Sequence, residues 1–288
     1  MKPKDQTMAK FILTFFSIFS LRINHFFGYL IGRYLYLFNT ESKKVVTKNI
    51  SLCFPKLSAK LQRNLIKNIL IESGKSLSES GFIWLNSFDH NAAHVNRIQD
   101  RNIAQINGPI IFLTPHFGCW ELTARIISII RPVTYLYKPL RKPKEEAFLL
   151  SIRAQHDLFM APANKKGIFK LQRALSAQGA IGILPDQDPG EQGGILSPFF
   201  GHDAQTMTLL VKLARKNDAK VVLAWCERLN LGRGYELNFK AIDVLSESGN
   251  LKDDVALMNK VIENLVKTKP EQYLWNYKRF KSEIDYRA

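Results

Sequence analysis

A chain of 288 residues, 46% of them hydrophobic and without a low-complexity tract, is long enough to bury a sizeable core and is not a disordered tail. Its three cysteines, Cys53, Cys119 and Cys226, are odd in number and widely spaced, which excludes a disulfide framework and a paired-cysteine zinc motif and fits a reducing compartment. A formal net charge of +16 asks for anionic partners but does not choose among nucleic acid, membrane and acidic protein.

The charge is unevenly spread. Residues 1–75 hold thirteen Lys or Arg against three acids (Asp5, Glu41 and Glu72), and the same region carries the most apolar stretch of the chain. Phe11 to Leu21 is almost wholly apolar, and aromatic and aliphatic residues resume from Phe26 to Phe38, with Arg22, Asn24, His25 and Arg33 as interruptions. A spanning helix needs about 20 mainly apolar residues. The first run reaches that length only by taking in Arg22 to His25, and cationic groups at mid-bilayer are expensive. Lys2, Lys4 and Lys10 precede it as in a signal peptide, but no small-x-small cleavage site follows. Residues 1–40 are therefore expected to be a retained, helical, membrane-associated segment, either short-spanning or lying in the interface. Its basic flanks suit the anionic cytoplasmic leaflet.

Residues 41–288 are expected to form a single domain. The stretch 42–89 has a helical pattern: Pro55 breaks it, Ser58 is an N-cap for a helix to about Ser73, and Leu61, Leu65, Ile66, Ile69 and Leu70 share one face. Gly74 and Gly81 mark a loosening. After Gly108 the spacing predicts strand 110–113, helix 122–130, strand 133–137, helices 144–156 and 169–177, strand 180–184, helix 206–216 and strand 220–225. A hairpin turn at Gly232-Arg233-Gly234 leads into strand 235–242, and an amphipathic helix spans 251–267. Alternation of this kind predicts an α/β fold with a mainly parallel central sheet covered by helices.

The segment Thr114-Pro115-His116-Phe117-Gly118-Cys119-Trp120-Glu121 holds the clearest chemical signal. It places His116 where a buried strand ends, the position at which open α/β sheets put their ligands, and a carboxylate five residues on. An imidazole oriented by a carboxylate is the minimal machinery for taking a proton from a hydroxyl. Leu184-Pro185-Asp186-Gln187-Asp188-Pro189-Gly190 is a second strand end with carboxylates, a candidate wall of the same cleft; it lacks the Lys-Ser/Thr ending of a phosphate-cradling loop. Among eight cations between Arg141 and Arg173, an arginine such as Arg153 reaching the cleft would suit a phosphate, because its planar fork binds oxyanions bidentately. Cys119 offers a nucleophile without a second histidine placed to activate it, and His90 with His94 lacks the further ligands of a metal site. No metal and no cofactor is expected. No recognised nucleic-acid motif accompanies the basic charge, so nucleic acid is not an expected partner.

Taken together, these blocks resemble the late acyltransferases of lipid A biosynthesis, within the wider lysophospholipid acyltransferase superfamily. His116-Phe-Gly-Cys-Trp-Glu121 resembles the family's His-x4-Glu/Asp block, and Tyr137-Lys138-Pro139 its following Tyr-Arg/Lys-Pro element. Arg153 stands where the second block has its arginine. Pro185-Asp186-Gln187-Asp188 and Pro198-Phe199-Phe200-Gly201 are similar to the third block, Pro270-Glu271-Gln272-Tyr273-Leu274-Trp275 to the C-terminal signature, and the segment from Asn49 to Pro55 to the N-terminal one. Cys119 departs from the family, which usually carries Asn there. The resemblance implies transfer of a fatty acyl group from a thioester, with acyl carrier protein as donor, to a hydroxyl of an anionic lipid A precursor at the cytoplasmic face of the inner membrane. It makes His116 the general base and Glu121 its orienting carboxylate. Arg153 and Lys138 are then expected on acceptor phosphates, and Asp186 as an organiser of the cleft. Acylation of a lysophospholipid or aminolipid, and hydrolysis of a lipid thioester, are the alternatives.

Overall fold

The computed structural model describes residues 3–190 and 192–286. Helices α1 (Pro3–Ser17) and α2 (Leu21–Leu37) meet at a turn fixed by side chains. The Ser20 hydroxyl accepts from the Ile23 amide, and the Asn24 side-chain amide donates to the Phe16 and Phe19 carbonyls, both at 3.0 Å. Helix α3 (Glu41–Cys53) starts at a Thr40 cap and ends ahead of Pro55.

Helix α4 (Ala59–Leu85) begins at the predicted Ser58 cap but runs on through Gly74 and Gly81, which the sequence marked as a loosening. Both glycines are contact points. A Cβ on Gly74 would lie 2.1 Å from the Gly28 carbonyl oxygen, and one on Gly81 would lie 2.2 Å from that of Leu13. Glycine inside a helix costs about 1 kcal/mol against alanine, and the backbone-to-backbone contact with α1 and α2 offsets that cost.

Helix α2 buries two polar side chains and leaves much of its apolar surface outside. Asn24 and His25 are buried against α4, whereas Phe26, Leu30, Tyr34 and Leu37 are exposed, as are Phe11 and Ile18 before them. Among the described residues no helix is long and apolar enough to cross a membrane. The spanning form allowed for residues 1–40 is therefore corrected. The turn at Ser20 cuts the apolar run in two, and Asn24 and His25 find partners inside the protein.

Next come α5 (Phe88–Ala92), β1 (Val95–Gln99), β2 (Ile110–Leu113), α6 (Trp120–Ile130), β3 (Val133–Tyr137), α7 (Pro143–Arg153), β4 (Leu158–Pro162), α8 (Lys165–Ser176) and β5 (Ala180–Ile183). A hairpin of β6 (Gly194–Phe199) and β7 (His202–Met207) leads into α9 (Leu209–Asn217), β8 (Lys220–Arg228), β9 (Tyr235–Ile242) and α10 (Leu251–Thr268). Seven strands form one sheet in the order β1-β9-β8-β2-β5-β3-β4, parallel at every pairing except β8 with β9. This is the mostly parallel, helix-covered sheet the alternation predicts.

Strand residues alternate between the two faces. Ile111, Leu113, Ile181 and Ile183 pack with Leu171, Val211 and Val255 on one side, while Ile110, Phe112 and Val222 pack with Phe82, Leu122 and Ile126 on the other. Four strands escaped the sequence pattern, among them β6, which opens on Gly194 and contains Pro198. β1 pairs only at the sheet edge and has two partly buried positions, and β4 carries Pro162. β7 buries only Ala204 and Thr206, so its alternation is invisible to hydropathy and its last residues read as part of the helix that begins at Leu209.

Candidate active site

Leu113 of β2 lies opposite Ile183 of β5, and the Thr114 amide extends the ladder by donating to the Ile183 carbonyl at 3.0 Å. His116 and Asp186 each lie three positions beyond that pair. Equal overhang from parallel neighbours brings them together: the His116 Nδ1 is 2.8 Å from Asp186 Oδ1, and the His116 backbone amide donates to Oδ2 at 2.9 Å.

The loop between His116 and α6 is held from behind. Gly118 has φ +56°, and a Cβ there would sit 1.9 Å from the Cys226 carbonyl oxygen, so this position admits only glycine. Its amide donates to the Gln272 carbonyl at 2.9 Å, and the Leu274 amide donates to the His116 carbonyl at 3.0 Å. The C-terminal segment is thus a buttress for the histidine loop.

Asp186 is 2% exposed. Burial alone would raise its carboxyl; the charge of His116, its two hydrogen bonds and Arg279 outweigh burial and hold the group below its ordinary value. An ionised carboxylate facing Nδ1 keeps the proton on that nitrogen. The Nε2 lone pair then points into the cleft, where the Gln187 amide nitrogen lies 3.2 Å away.

This geometry corrects the pairing expected from the His-x4-Glu spacing. Glu121, in the first turn of α6, gives both oxygens to Arg153 at the end of α7, with Nε donating to Oε2 at 3.0 Å and Nη2 donating to Oε1. Glu121 is engaged by Arg153, while strand register brings Asp186 to Nδ1 of the ring. Arg153 is therefore already occupied by a carboxylate, and its guanidinium sits 5.5 Å from the centre of the Trp84 ring.

His116, Glu121, Arg153, Lys138 and Gln187 all line one cavity of about 1170 Å³. Its walls are largely apolar, including Tyr135, Leu136, Phe148, Leu149, Leu158 and Met160, and the exposed cations Lys10, Lys138 and Lys144 border it. Such a space holds a chain-bearing ligand with a few polar groups fixing its reacting end. Asp186 is not a wall of this cleft but lies buried behind the imidazole.

Cys119 stays out of the chemistry. It is buried, and burial together with the Glu79 charge raises its pKa well above the usual thiol range; a protonated thiol is a poor nucleophile. His90 and His94 pack on Phe82, with His94 Nδ1 2.9 Å from the His90 carbonyl oxygen.

Two residues near the site carried no assigned role in the sequence. Gln187 belongs to a quoted motif, so its position after a strand end was the available signal. Arg125 had none: buried on α6, it donates to the Trp84, Asn86 and Ile152 carbonyls and to Asn91 Oδ1, each at 3.1 Å, tying the ends of α4 and α7 together beside the cavity. Burial lowers its pKa to about 10, which leaves it charged at neutral pH.

The profile of the bacterial lipid A biosynthesis acyltransferases matches residues 7–282. The lipid A biosynthesis lauroyltransferase of Escherichia coli is 27% identical over 256 residues, spanning 88% of this chain and 83% of the relative. The lipid A biosynthesis palmitoleoyltransferase of the same species is 28% identical over 262 residues, with 89% and 84% covered. A lipid A biosynthesis acyltransferase of Haemophilus influenzae is 25% identical over 271 residues, with 91% and 84% covered.

Proposed function

The chain belongs to the bacterial lipid A biosynthesis acyltransferases, and from that premise we propose that it moves a fatty acyl group from acyl carrier protein to a hydroxyl of a lipid A precursor at the cytoplasmic face of the inner membrane. The observation that carries this is the His116 ring, braced at Nδ1 by Asp186 and opening through Nε2 onto a large apolar cavity bordered by cations.

The acceptor hydroxyl gives its proton to His116 Nε2 as its oxygen attacks the thioester carbonyl carbon. The imidazolium is stabilised by the Asp186 carboxylate on Nδ1. Collapse of the adduct expels the thiolate, which takes the proton from Nε2, leaving an ester and a thiol. General base assistance of this kind contributes about 10²–10⁴-fold, and fixed orientation of two substrates in one cavity supplies a further share. Lys138, and the Nη1 edge of Arg153 that Glu121 leaves free, are the cations of the cavity lining for the acceptor phosphates, with Glu121 fixing the guanidinium.

The donor reading is supported by α8, which starts just after cavity-lining Ala163 and exposes Lys165, Lys166, Lys170 and Arg173, a surface suited to an acidic carrier. Purified protein, supplied with acyl carrier protein thioester and a lipid A precursor, should yield acylated lipid and free thiol in equal amounts by mass spectrometry. Free fatty acid without acylated lipid identifies a hydrolase instead, and product from a lysophospholipid or aminolipid alone reassigns the acceptor. Equal or faster turnover of a coenzyme A thioester removes the carrier protein from the reading.

Residues 1–40 serve as the membrane-associated part and residues 41–288 as the catalytic domain. The support is the run of exposed apolar side chains in this segment, Phe11, Ile18, Phe26, Leu30 and Leu37. Wild-type protein should sediment with vesicles containing anionic lipid, and Phe26→Glu with Leu30→Glu should leave most of it in the supernatant while acylation of detergent-dispersed acceptor persists. Unchanged sedimentation of that double variant would remove this face from the membrane.

A further inference from the structure

Resting on that transferase reading, we propose that the Gln187 side-chain amide is a catalytic residue, the hydrogen-bond donor that stabilises the oxyanion formed when the thioester carbonyl is attacked. Gln187 follows the carboxylate partner of the base directly, on the loop leaving β5. One strand end thus delivers both groups to the same imidazole: Asp186 from behind at Nδ1, and Gln187 at Nε2 from the cavity side.

The donor direction follows from the base. Nδ1 carries the proton that faces Asp186, so Nε2 has only a lone pair, and the group 3.2 Å from it must donate. The amide nitrogen of Gln187 has two hydrogens. One meets Nε2, and among the described residues this side chain makes no other hydrogen bond. The second hydrogen is available to a ligand.

An acceptor hydroxyl using His116 as its base must come within about 2.6–3.2 Å of Nε2. That is the shell Gln187 now occupies, so the arriving hydroxyl takes over the lone pair and releases the amide N–H. The carbonyl carbon being attacked is one bond further on, and its oxygen falls within reach of the freed donor. As the hydroxyl oxygen bonds to carbon, the carbonyl π pair moves onto oxygen, and the amide donates to that charge. When the pair returns, the carbon–sulfur bond breaks and the thiolate leaves with the proton from Nε2. Arg153 is a poorer candidate for this task, because its Nε and Nη2 are already held by Glu121.

Gln187→Leu removes the donor, and Gln187→Glu keeps the shape while replacing the amine with a second acceptor. Each should lower kcat by about 10²–10³-fold, the usual loss for one oxyanion donor, with KM for the thioester unchanged. Binding measured by calorimetry separates this role from pocket shaping. A trifluoromethyl ketone on a fatty chain and pantetheine arm, whose hydrate mimics the adduct, should lose affinity in both variants by a factor close to the kcat loss. The matching thioether, which has no carbonyl, should bind as it does to wild type. Full turnover by either variant, or equal loss of ketone and thioether affinity, overturns the assignment. A wild-type protein that forms no acylated lipid from any thioester overturns the transferase reading itself, a result distinct from an active wild type with a fully active Gln187→Leu variant.

Discussion

Asp186→Asn should lower turnover on the order of 10³-fold while leaving KM for both substrates nearly unchanged, a loss approaching that of His116→Ala. The reason lies in the count of donors. The His116 backbone amide faces this carboxylate at Oδ2 and Nδ1 faces it at Oδ1, and the Tyr273 hydroxyl bonds it as well, whereas an asparagine amide has one oxygen for all of them. The backbone donor cannot turn away, so the amide nitrogen is driven against Nδ1. That favours the tautomer with its proton on Nε2, which has no lone pair for the acceptor hydroxyl, the same logic by which a wrong tautomer disables a catalytic histidine elsewhere. Glu121→Ala should also lose turnover, but through the release of Arg153, so the two routes are separable. A double-mutant cycle should show strong coupling of Glu121 with Arg153 and near additivity of Glu121 with Asp186. Near-wild-type turnover of Asp186→Asn, or coupling of Glu121 to His116 in place of Arg153, would return the orienting role to Glu121.

The exchange of Asp186 for Glu121 shows where the sequence stops being readable. The parallel sheet was legible because Ile110–Leu113 and Ala180–Ile183 are buried on both faces and read as unbroken apolar runs. His116 was legible because it closes one of those runs. The partner of the imidazole was not, because its identity depends on which strands are neighbours and in what register. Once Leu113 is known to lie opposite Ile183, the equal three-residue overhang selects Asp186. Spacing along the chain favours Glu121, which is close in sequence but is bonded to Arg153 at the end of α7. The glycines of α4 show the same limit: Gly74 and Gly81 weaken a helix locally, and only the approach of Gly28 and Leu13 explains why the helix continues.

Glu79→Gln should cost about 3–5 kcal/mol, the usual penalty for removing one partner of a buried pair, and lower the melting temperature by roughly 10 °C on the scaling for large domains. Glu79 on α4 accepts from Arg228 Nε of β8 at 2.9 and 3.0 Å and from the Tyr235 hydroxyl of β9 at 2.9 Å, with His25 Nε2 of α2 at 3.2 Å. Arg228 is 4% exposed, and also donates to Ser76 on α4. One carboxylate therefore joins the N-terminal helices to the antiparallel side of the sheet, and its loss leaves a buried cation without its main counter-charge. Burial pushes the Glu79 carboxyl up, yet the Arg228 charge and the bonds from His25 and Arg228 bring it down to about 2. A depressed carboxyl stabilises the fold fully above its unfolded pKa near 4.5 and loses that contribution as pH falls towards about 2. The gap in melting temperature between wild type and Glu79→Gln should accordingly be widest at neutral pH and close below about pH 4. Glu79→Leu combined with Arg228→Met should recover much of the loss, since a buried pair replaced by apolar groups is often neutral. A constant gap across that pH range, or a double variant no more stable than Glu79→Gln, would show that the N-terminal helices are held on the sheet by packing, with the ion pair contributing little.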